Sequence, residues 1–166
     1  MAEAEDGPRR VVHEDDLEAY ETDRGSFGNR RRLLSLSTGG RKLGCSLYEL
    51  PPGRRSFPYH WHAANEEAIY VLEGEGMLRL GGRESPLRKG CYATLPAGEA
   101  GAHQVLNVGT APLKYLCFST MLEPDVAFYP DSEKLAVFVG GAPGTLDAAM
   151  TTVPSHAECD FWEGEE

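Results

Sequence analysis

Residues 53–74 read GRRSFPYHWHAANEEAIYVLEG, and their centre places two histidines two positions apart. Alternate residues of a strand leave the same face of a sheet, so the imidazoles of His60 and His62 are predicted to point the same way. In the apolar run that follows, the same alternation puts Glu67 on one face with Ile69. A carboxylate on an apolar wall is costly unless it is paired, and a cation shared with two neutral imidazoles would pair it.

The rest of this cluster is less constrained by spacing. Glu66 competes with Glu67 as the oxygen ligand, because neighbours in a strand face opposite ways; we prefer Glu67. His103 begins another apolar run after a proline–glycine turn and could complete the set. Three imidazoles and one carboxylate suit one divalent ion, Zn, Fe, Mn, Ni or Co, and leave positions open for a ligand. The isolated His13 and His156 are expected to be structural or surface groups.

Around this cluster, the chain from Leu33 to Thr120 alternates short β-rich runs with glycine- and proline-containing breaks. Connections this short favour antiparallel neighbours, since parallel strands need long crossovers. The sequence therefore predicts an all-β sandwich or barrel. The predicted strand runs are RRLLSLS, LGCSLYEL, EAIYVLEG, GMLRL, CYATLP, HQVLNV and LKYLCFST.

Two short peripheral helices are predicted, EDDLEAYE near the start of the chain and TLDAAM near its end, where Thr145 could be the N-cap. We expect three regions: an N-terminal arm (residues 1–32), a barrel core (33–122) and a C-terminal extension (123–166) that packs on the barrel or on a partner subunit. The extension could supply one more strand, from DVAFYPDSEKLAVFVGG, and Phe161 and Trp162 are expected to anchor its end.

Composition narrows the function classes. The chain has 166 residues and a formal net charge of −10, which would repel a nucleic-acid backbone. No apolar run approaches the roughly 20 residues that cross a bilayer, and no secretory signal is visible, so we expect a cytoplasmic protein. The four cysteines form no C-x-x-C pair and are predicted to be reduced thiols. The basic clusters Arg30–Arg32 and Arg54–Arg55 are expected either to pair with surface carboxylates or to contact an anionic ligand.

These residues resemble the two signature motifs of the cupin superfamily. The first motif is matched with one additional residue after its first glycine, and the second with two additional residues before its histidine, which would bring Glu99 near the barrel mouth. The matching positions are Gly53, His60, His62, Glu67 and Gly74, then Gly90, Pro96, Gly98, His103 and Asn107.

The resemblance implies a single double-stranded β-helix, or jelly-roll barrel, that is often a homodimer. It implies one divalent ion deep in the open end of the barrel, held by His60, His62, Glu67 and His103. The chain looks most similar to small bacterial and archaeal single-domain cupins, some of which are described as sugar-phosphate isomerases.

Three functions are compatible with such a site. The leading hypothesis is an enzyme whose ion acts as a Lewis acid on a small oxygenated metabolite, such as a sugar phosphate or a hydroxy or keto acid. The alternatives are an Fe(II)-dependent dioxygenase and a sensor or binding protein without turnover. The third stays open because no general base is evident apart from the ligands; Glu99, Tyr48 and Tyr70 are candidates only.

Overall fold

The computed structural model describes residues 10–146, 148–156, 158, 160, 163 and 165. The predicted all-β architecture is confirmed, since strands dominate the described part of the chain and its helical segments are short. The predicted tail anchor, Phe161 and Trp162, lies outside the described residues. Cys45, Cys91 and Cys117 are free thiols.

The strands follow one another along the chain with short connections. They are β1 (Tyr20–Arg24), β2 (Phe27–Arg32), β3 (Gly44–Leu50), β4 (Trp61–His62), β5 (Glu67–Glu73), β6 (Glu75–Leu80), β7 (Arg83–Arg88), β8 (Tyr92–Leu95), β9 (His103–Leu106), β10 (Leu113–Ser119), β11 (Asp125–Tyr129), β12 (Lys134–Val139) and β13 (Ala149–Pro154). The helical segments are α1 (Leu34–Ser37) and single 3-10 turns at Glu14–Asp16, Glu99–Gly101 and Pro130–Ser132.

The described strands form three sheets. Their orders are β1-β2-β3-β10-β5-β8, β13-β12-β11-β4 and β7-β6-β9. The strand ladders are antiparallel, as predicted. Strands distant in sequence lie side by side, such as β3 beside β10 and β4 beside β11, which is the connectivity of a jelly roll, although the sheets do not close into one continuous barrel.

The main core lies between the six-stranded and the three-stranded sheets. Alternation along β5 shows how it forms, because Ile69 and Val71 are buried whereas Tyr70 between them is 40% exposed. The buried members of this core are Tyr48, Leu50, Ile69, Val71, Leu78, Leu87, Leu95, Val105, Leu113 and Tyr115. A smaller cluster of Ala127, Ala136 and Phe138 supports the sheet that carries β4.

The predicted strand RRLLSLS is wrong in its second half. Its arginines end β2, and Leu34–Ser37 forms the one-turn helix α1. The hydroxyls of this segment explain the difference: Ser35 Oγ accepts from the backbone N–H of Cys45 at 2.9 Å, and Thr38 Oγ1 donates to the Ser35 carbonyl at 2.9 Å. Such local bonds compete with a strand ladder.

Neither predicted peripheral helix forms over its full length. In EDDLEAYE only Glu14–Asp16 makes a 3-10 turn, and Tyr20 already begins β1. The described residues of TLDAAM contain no helix, because Thr145 Oγ1 donates to the Ala142 carbonyl at 2.9 Å and Ala149 begins strand β13.

Several strands were not predicted, and the extension holds more than the one expected. Strand β7 is not among the predicted strands, and it contains Pro86; β7 lies at the edge of its sheet, where a missing N–H is tolerated. Gly81 and Gly82, with φ of 54° and 77°, form the two-residue turn that joins β6 to β7. No helix among the described residues is long and apolar enough to span a bilayer.

Candidate metal centre

His60 and His62 flank Trp61 at strand β4, and the strand divides their side chains as expected. Trp61 leaves the opposite face and stacks on Phe128 of β11, with ring centroids 4.1 Å apart and 9° between the ring planes. The two imidazoles share the other face, with centroids 5.1 Å apart. The pairing of β4 with β11 therefore fixes which way both histidines point.

Glu67 and His103 reach the same point from two further strands. His103 opposes His60 in a pair of backbone hydrogen bonds, 3.1 and 2.7 Å long, and their ring centroids are 4.6 Å apart. Glu67 Oε2 lies 3.3 Å from His103 Nε2 and 3.8 Å from His62 Nε2. Glu66 is exposed and turned away from this cluster. The four predicted ligands thus come together.

Two of the histidines are oriented by backbone carbonyls. The Nδ1 of His60 donates to the Pro58 carbonyl at 2.8 Å, and the Nδ1 of His103 donates to the Gly101 carbonyl at 2.9 Å. A carbonyl can only accept, so each Nδ1 carries the proton and each Nε2 presents a lone pair. This is the tautomer that a metal ligand requires.

His62 is oriented by a carboxylate that sequence reasoning missed. Its Nδ1 donates to Asp125 Oδ2 at 2.7 Å, and the Asp125 side chain is 0% exposed. Asp125 also accepts from the Ala64 backbone N–H at 2.9 Å and from Asn65 Nδ2 at 2.8 Å. A carboxylate behind a ligating histidine is a frequent feature of metal sites. The only hint in the sequence was an acidic residue at the start of a predicted strand.

The longer turn before His103 does not displace that imidazole. The turn contains the 3-10 helix Glu99–Gly101, and the Gly98 N–H donates to the His62 carbonyl at 2.8 Å, which ties the turn to β4. Gly101 packs so closely that a Cβ on it would lie 1.7 Å from the Pro96 carbonyl oxygen. The two additional residues are therefore accommodated in a compact, glycine-dependent turn.

The electrostatics of the ion-free cluster favour a cation. Burial and the neighbouring imidazoles His103 and His62 lower the pKa of His60 to about 3, so its ring is neutral at pH 7. Burial raises the pKa of Glu67, but the hydrogen bond with His103 and the imidazoles outweigh it and lower that pKa to about 2. Burial lowers the pKa of His62, and its hydrogen bond with Asp125 and the charge of Glu67 reverse the shift to a net rise.

The residues fit a divalent ion. His60, His62 and Glu67 offer ligand atoms that all lie within 4.8 Å of one another. His103 Nε2 lies 3.3 Å from Glu67 Oε2, so both atoms could bind the same ion. Imidazole nitrogens with one carboxylate oxygen suit a divalent ion such as Zn, Fe, Mn, Ni or Co.

The cluster opens into a cavity of about 360 Å³, a volume suited to a small metabolite. Its walls combine the inner faces of the six-stranded sheet with residues from both ends of the chain. Glu99 and Tyr70, two of the base candidates, do not line it, whereas Tyr48 does. The lining residues are Arg31, Tyr48, Ser56, Phe57, Pro58, His60, His62, Glu67, Ile69, His103, Val105, Tyr115, Cys117, Tyr129, Phe138, Pro143, Gly144 and Met150.

Comparison with known proteins places the chain in a family. Residues 46–119 match the model of the cupin domain. The protein is a cupin. In sequence, the cupin is 31% identical over 130 residues to the polyketide synthase CurC of Streptomyces cyaneus, covering 77% of this chain and 80% of CurC. It is 32% identical over 74 residues to the oxalate-binding protein of Thermotoga maritima, covering 45% of this chain and 59% of that protein.

In structure, the cupin resembles a proposed sugar phosphate isomerase from Acidithiobacillus ferrooxidans. The TM-score is 0.79 at 25% identity, and the alignment covers 93% of this chain and 98% of that chain. The chain spans between 54% and 59% of the length of the first curated relatives that it matches. The recognised family and the small single-domain jelly roll are thereby confirmed.

Proposed function

We propose that this cupin is a metal-dependent enzyme acting on a small oxygenated metabolite, with the ion serving as a Lewis acid. The observation that supports it most directly is the convergence of three imidazoles and one carboxylate at the wall of a cavity, each imidazole with its Nδ1 already hydrogen-bonded. A bound divalent ion would polarise a carbonyl or stabilise an enediolate. In a site that excludes water, this would stabilise the transition state by roughly several kcal/mol.

The chain's own residues would hold the ion and prepare the cavity. His60, His62, Glu67 and His103 supply the four donor atoms, and Asp125 keeps His62 in its ligating tautomer. Burial raises the pKa values of Tyr48, Tyr115 and Tyr129, so their hydroxyls stay protonated and can donate hydrogen bonds to substrate oxygens.

Isomerase-like chemistry on a sugar phosphate or on a hydroxy or keto acid is the specific form that we favour. The structural similarity to the Acidithiobacillus ferrooxidans protein supports isomerase chemistry in general. The ligand set supports any substrate that presents two neighbouring oxygens to the ion. A homodimer and a cytoplasmic location stay predictions.

The ligand assignment is tested by replacing His60 with alanine. We expect His60→Ala to lose its metal after loading with Zn²⁺ or Co²⁺ and desalting, as measured by elemental analysis. His13→Ala is the matched control, because the His13 side chain is 70% exposed and does not line the cavity. Unaltered metal content in His60→Ala, with unchanged Co²⁺ absorption, would contradict the proposal.

A binding protein without turnover is the second candidate, and one observation favours it. Apart from the four proposed ligands, the titratable side chains that line the cavity are Arg31, Cys117 and tyrosines, and burial raises the pKa of Cys117 and of the tyrosines. None of these is a ready general base at pH 7. A thermal-shift screen with metabolites, followed by NMR of each stabilising compound, separates the candidates: conversion indicates an enzyme, and an unchanged spectrum indicates a binding protein.

A further inference from the structure

Arg31 is the one residue with a fixed positive charge among the described residues that line the cavity. It lies on β2, opposite Tyr48 of β3, which in turn lies opposite Tyr115 of β10. Paired residues in neighbouring strands share a face, so Arg31 faces inward with these two tyrosines. Its position is outside residues 46–119, which match the cupin domain.

The guanidinium of Arg31 extends toward the metal centre. Its Nε and Nη2 donate to Ser46 Oγ at 3.1 and 3.0 Å. Ser46 lies two residues from Tyr48 along β3. Across the sheet, Ser46 pairs with Cys117 of β10, and Cys117 pairs with Ile69 of β5. Ile69 lies two residues from Glu67 along β5. The side chain therefore points along the sheet in the direction of Glu67, and both residues line the same cavity.

Arg31 has no carboxylate partner among the described residues, unlike its neighbours. Arg30 pairs with Glu21 at 3.0 Å and Arg32 pairs with Glu49 at 2.5 Å. Ser46 Oγ accepts from one N–H on each of two guanidinium nitrogens, and in the described part of the chain the other three of the five N–H donors of Arg31 have no hydrogen-bond partner. Arginine binds carboxylates with two parallel hydrogen bonds when such donors are available.

The cavity between Arg31 and the metal centre has aromatic and aliphatic walls. The rings of Tyr48 and Tyr115 stack with centroids 5.2 Å apart, and Phe57 meets Tyr48 edge-on at 5.8 Å. Ile69 and Val105 add aliphatic surface. A sugar carries a hydroxyl on nearly every carbon, and each buried hydroxyl needs a partner. The hydroxyls of the lining tyrosines and of Ser56 could pair with only a few of them.

We propose that Arg31 binds the carboxylate of a substrate whose body is planar and apolar and whose opposite end presents oxygens to the ion. The proposal rests on the proposed function, because it places the substrate between Arg31 and the His60, His62, Glu67 and His103 cluster. Among the substrates of the proposed function, this proposal favours aromatic or conjugated hydroxy and keto acids over sugar phosphates. Arg31 acts as a specificity-determining residue that recognises the end of the substrate remote from the metal.

The experiment uses Co²⁺-loaded full-length protein and two catechols under anaerobic conditions. The probe 3-(3,4-dihydroxyphenyl)propionate carries a chelating end, a ring and a carboxylate, whereas 4-methylcatechol lacks the carboxylate. The visible absorption of Co²⁺ reports chelation, and calorimetry gives the affinities. We expect the carboxylate to tighten binding by about 10- to 100-fold, the range of a hydrogen-bonded charge pair.

Variants of Arg31 test whether this residue causes the tighter binding of the carboxylate probe. Arg31→Gln should abolish the preference for the carboxylate probe while leaving the affinity for 4-methylcatechol and the Co²⁺ spectrum unchanged. Arg31→Lys should restore part of the preference, because it keeps the charge but not the paired hydrogen bonds. Arg30→Gln, which removes an arginine from the opposite face of the same strand, should behave as wild type. Circular dichroism checks that each variant is folded.

The outcomes separate the two proposals. If Co²⁺ does not bind, or if neither catechol perturbs its spectrum, the proposed function fails. If 4-methylcatechol perturbs the spectrum but the carboxylate brings no advantage, or if the advantage survives in Arg31→Gln, the assignment of Arg31 fails alone. Binding of glucose 6-phosphate that is tighter than that of the carboxylate probe and depends on Arg31 would overturn the choice of an apolar carboxylate.

Discussion

His62 and Asp125 are 63 residues apart in sequence and are joined by a 2.7 Å hydrogen bond in the interior of the protein. The contact exists because β4 pairs with β11, so that Asp125 begins its strand directly behind His62. It links the central motif of the chain to the segment that follows it. The tautomer and orientation of His62 therefore depend on residues outside the motif.

Asp125→Asn is expected to weaken metal binding by about 10- to 100-fold, the usual cost of removing such a supporting group. An amide at this position cannot hold the His62 Nδ1 proton as a carboxylate does. Competition with a chromophoric chelator measures the affinity. Asp131→Asn is the control, because Asp131 is an acidic side chain that is 50% exposed and pairs with Arg79 on the surface. Equal metal affinities in the two variants would contradict the role given to Asp125.

Gly101→Ala is expected to destabilise the fold by about 1–3 kcal/mol or more, since its Cβ would lie 1.7 Å from the Pro96 carbonyl oxygen and the backbone must move. The same movement would disturb the carbonyl that orients His103, so metal affinity should also fall. Gly98→Ala is the matched comparison in the same turn: it has open space but a φ of 89°, and should cost only about 1 kcal/mol. Urea unfolding gives both values; a smaller loss in Gly101→Ala than in Gly98→Ala would refute the steric account.

Asn65→Leu is expected to lower the free energy of unfolding by about 2–4 kcal/mol, because several buried groups lose their partners together. Asn65 is 1% exposed and its amide bonds to Asp125 and to both the N–H and the carbonyl of Leu122. Thr120→Val removes one hydrogen bond to Asn65 and one from the backbone N–H of the exposed Glu66, and should cost about 1–2 kcal/mol. Chemical denaturation compares the two, and similar losses would show that Asn65 is not the centre of this network.

The metal-free protein is expected to lose stability as the pH falls from about 6.5 toward 3 because of His60. Its pKa is lowered from the ordinary 6.5 to about 3 in the folded state. Between these pH values His60 is protonated in the unfolded chain but stays neutral in the folded chain. The free energy of unfolding therefore falls by up to about 1.4 kcal/mol for each unit by which the pH decreases. Burial of the ring and the two neighbouring imidazoles cause the shift.

The comparison that isolates His60 is His60→Asn, whose amide can still donate toward the Pro58 carbonyl. Urea unfolding in the presence of a chelator at several pH values should show a shallower decline for His60→Asn than for the wild type. Parallel curves would mean that His60 takes up its proton equally well in the folded and unfolded states.

The clustering of His60, His62 and Glu67 could be predicted from the sequence because their spacing is local. One residue separates His60 from His62, and strand alternation alone directs both side chains and Glu67 inward. The strands of the core were predictable for the same reason, since their apolar alternation and glycine-rich turns are read within a few residues. The sequence prediction failed where hydroxyl side chains or an edge strand decided the conformation. At Ser35 a predicted strand became a helix, and at Ala149 a predicted helix became a strand.

What the sequence could not show is which distant segments meet. Asp125 reaches His62 through the β4–β11 pairing, and Arg31 reaches the cavity because β2 adds to the edge of β3. Three consecutive arginines look alike in the sequence, yet strand alternation turns Arg31 inward and leaves Arg30 and Arg32 to pair with glutamates. The inward orientation of Arg31 follows only if the strand begins before residue 31, as β2 does. The predicted core began at Leu33.

Arg31 and Tyr129 enter the cavity from opposite ends of the chain, and both lie outside the segment shared with the cupin domain model. Under the proposals above, mutations in these flanking regions would change which compound is bound, whereas the four proposed metal ligands would stay the same. Cupins that share the central histidines could therefore differ in the compounds that they bind. A classification based on those histidines alone would group such proteins together.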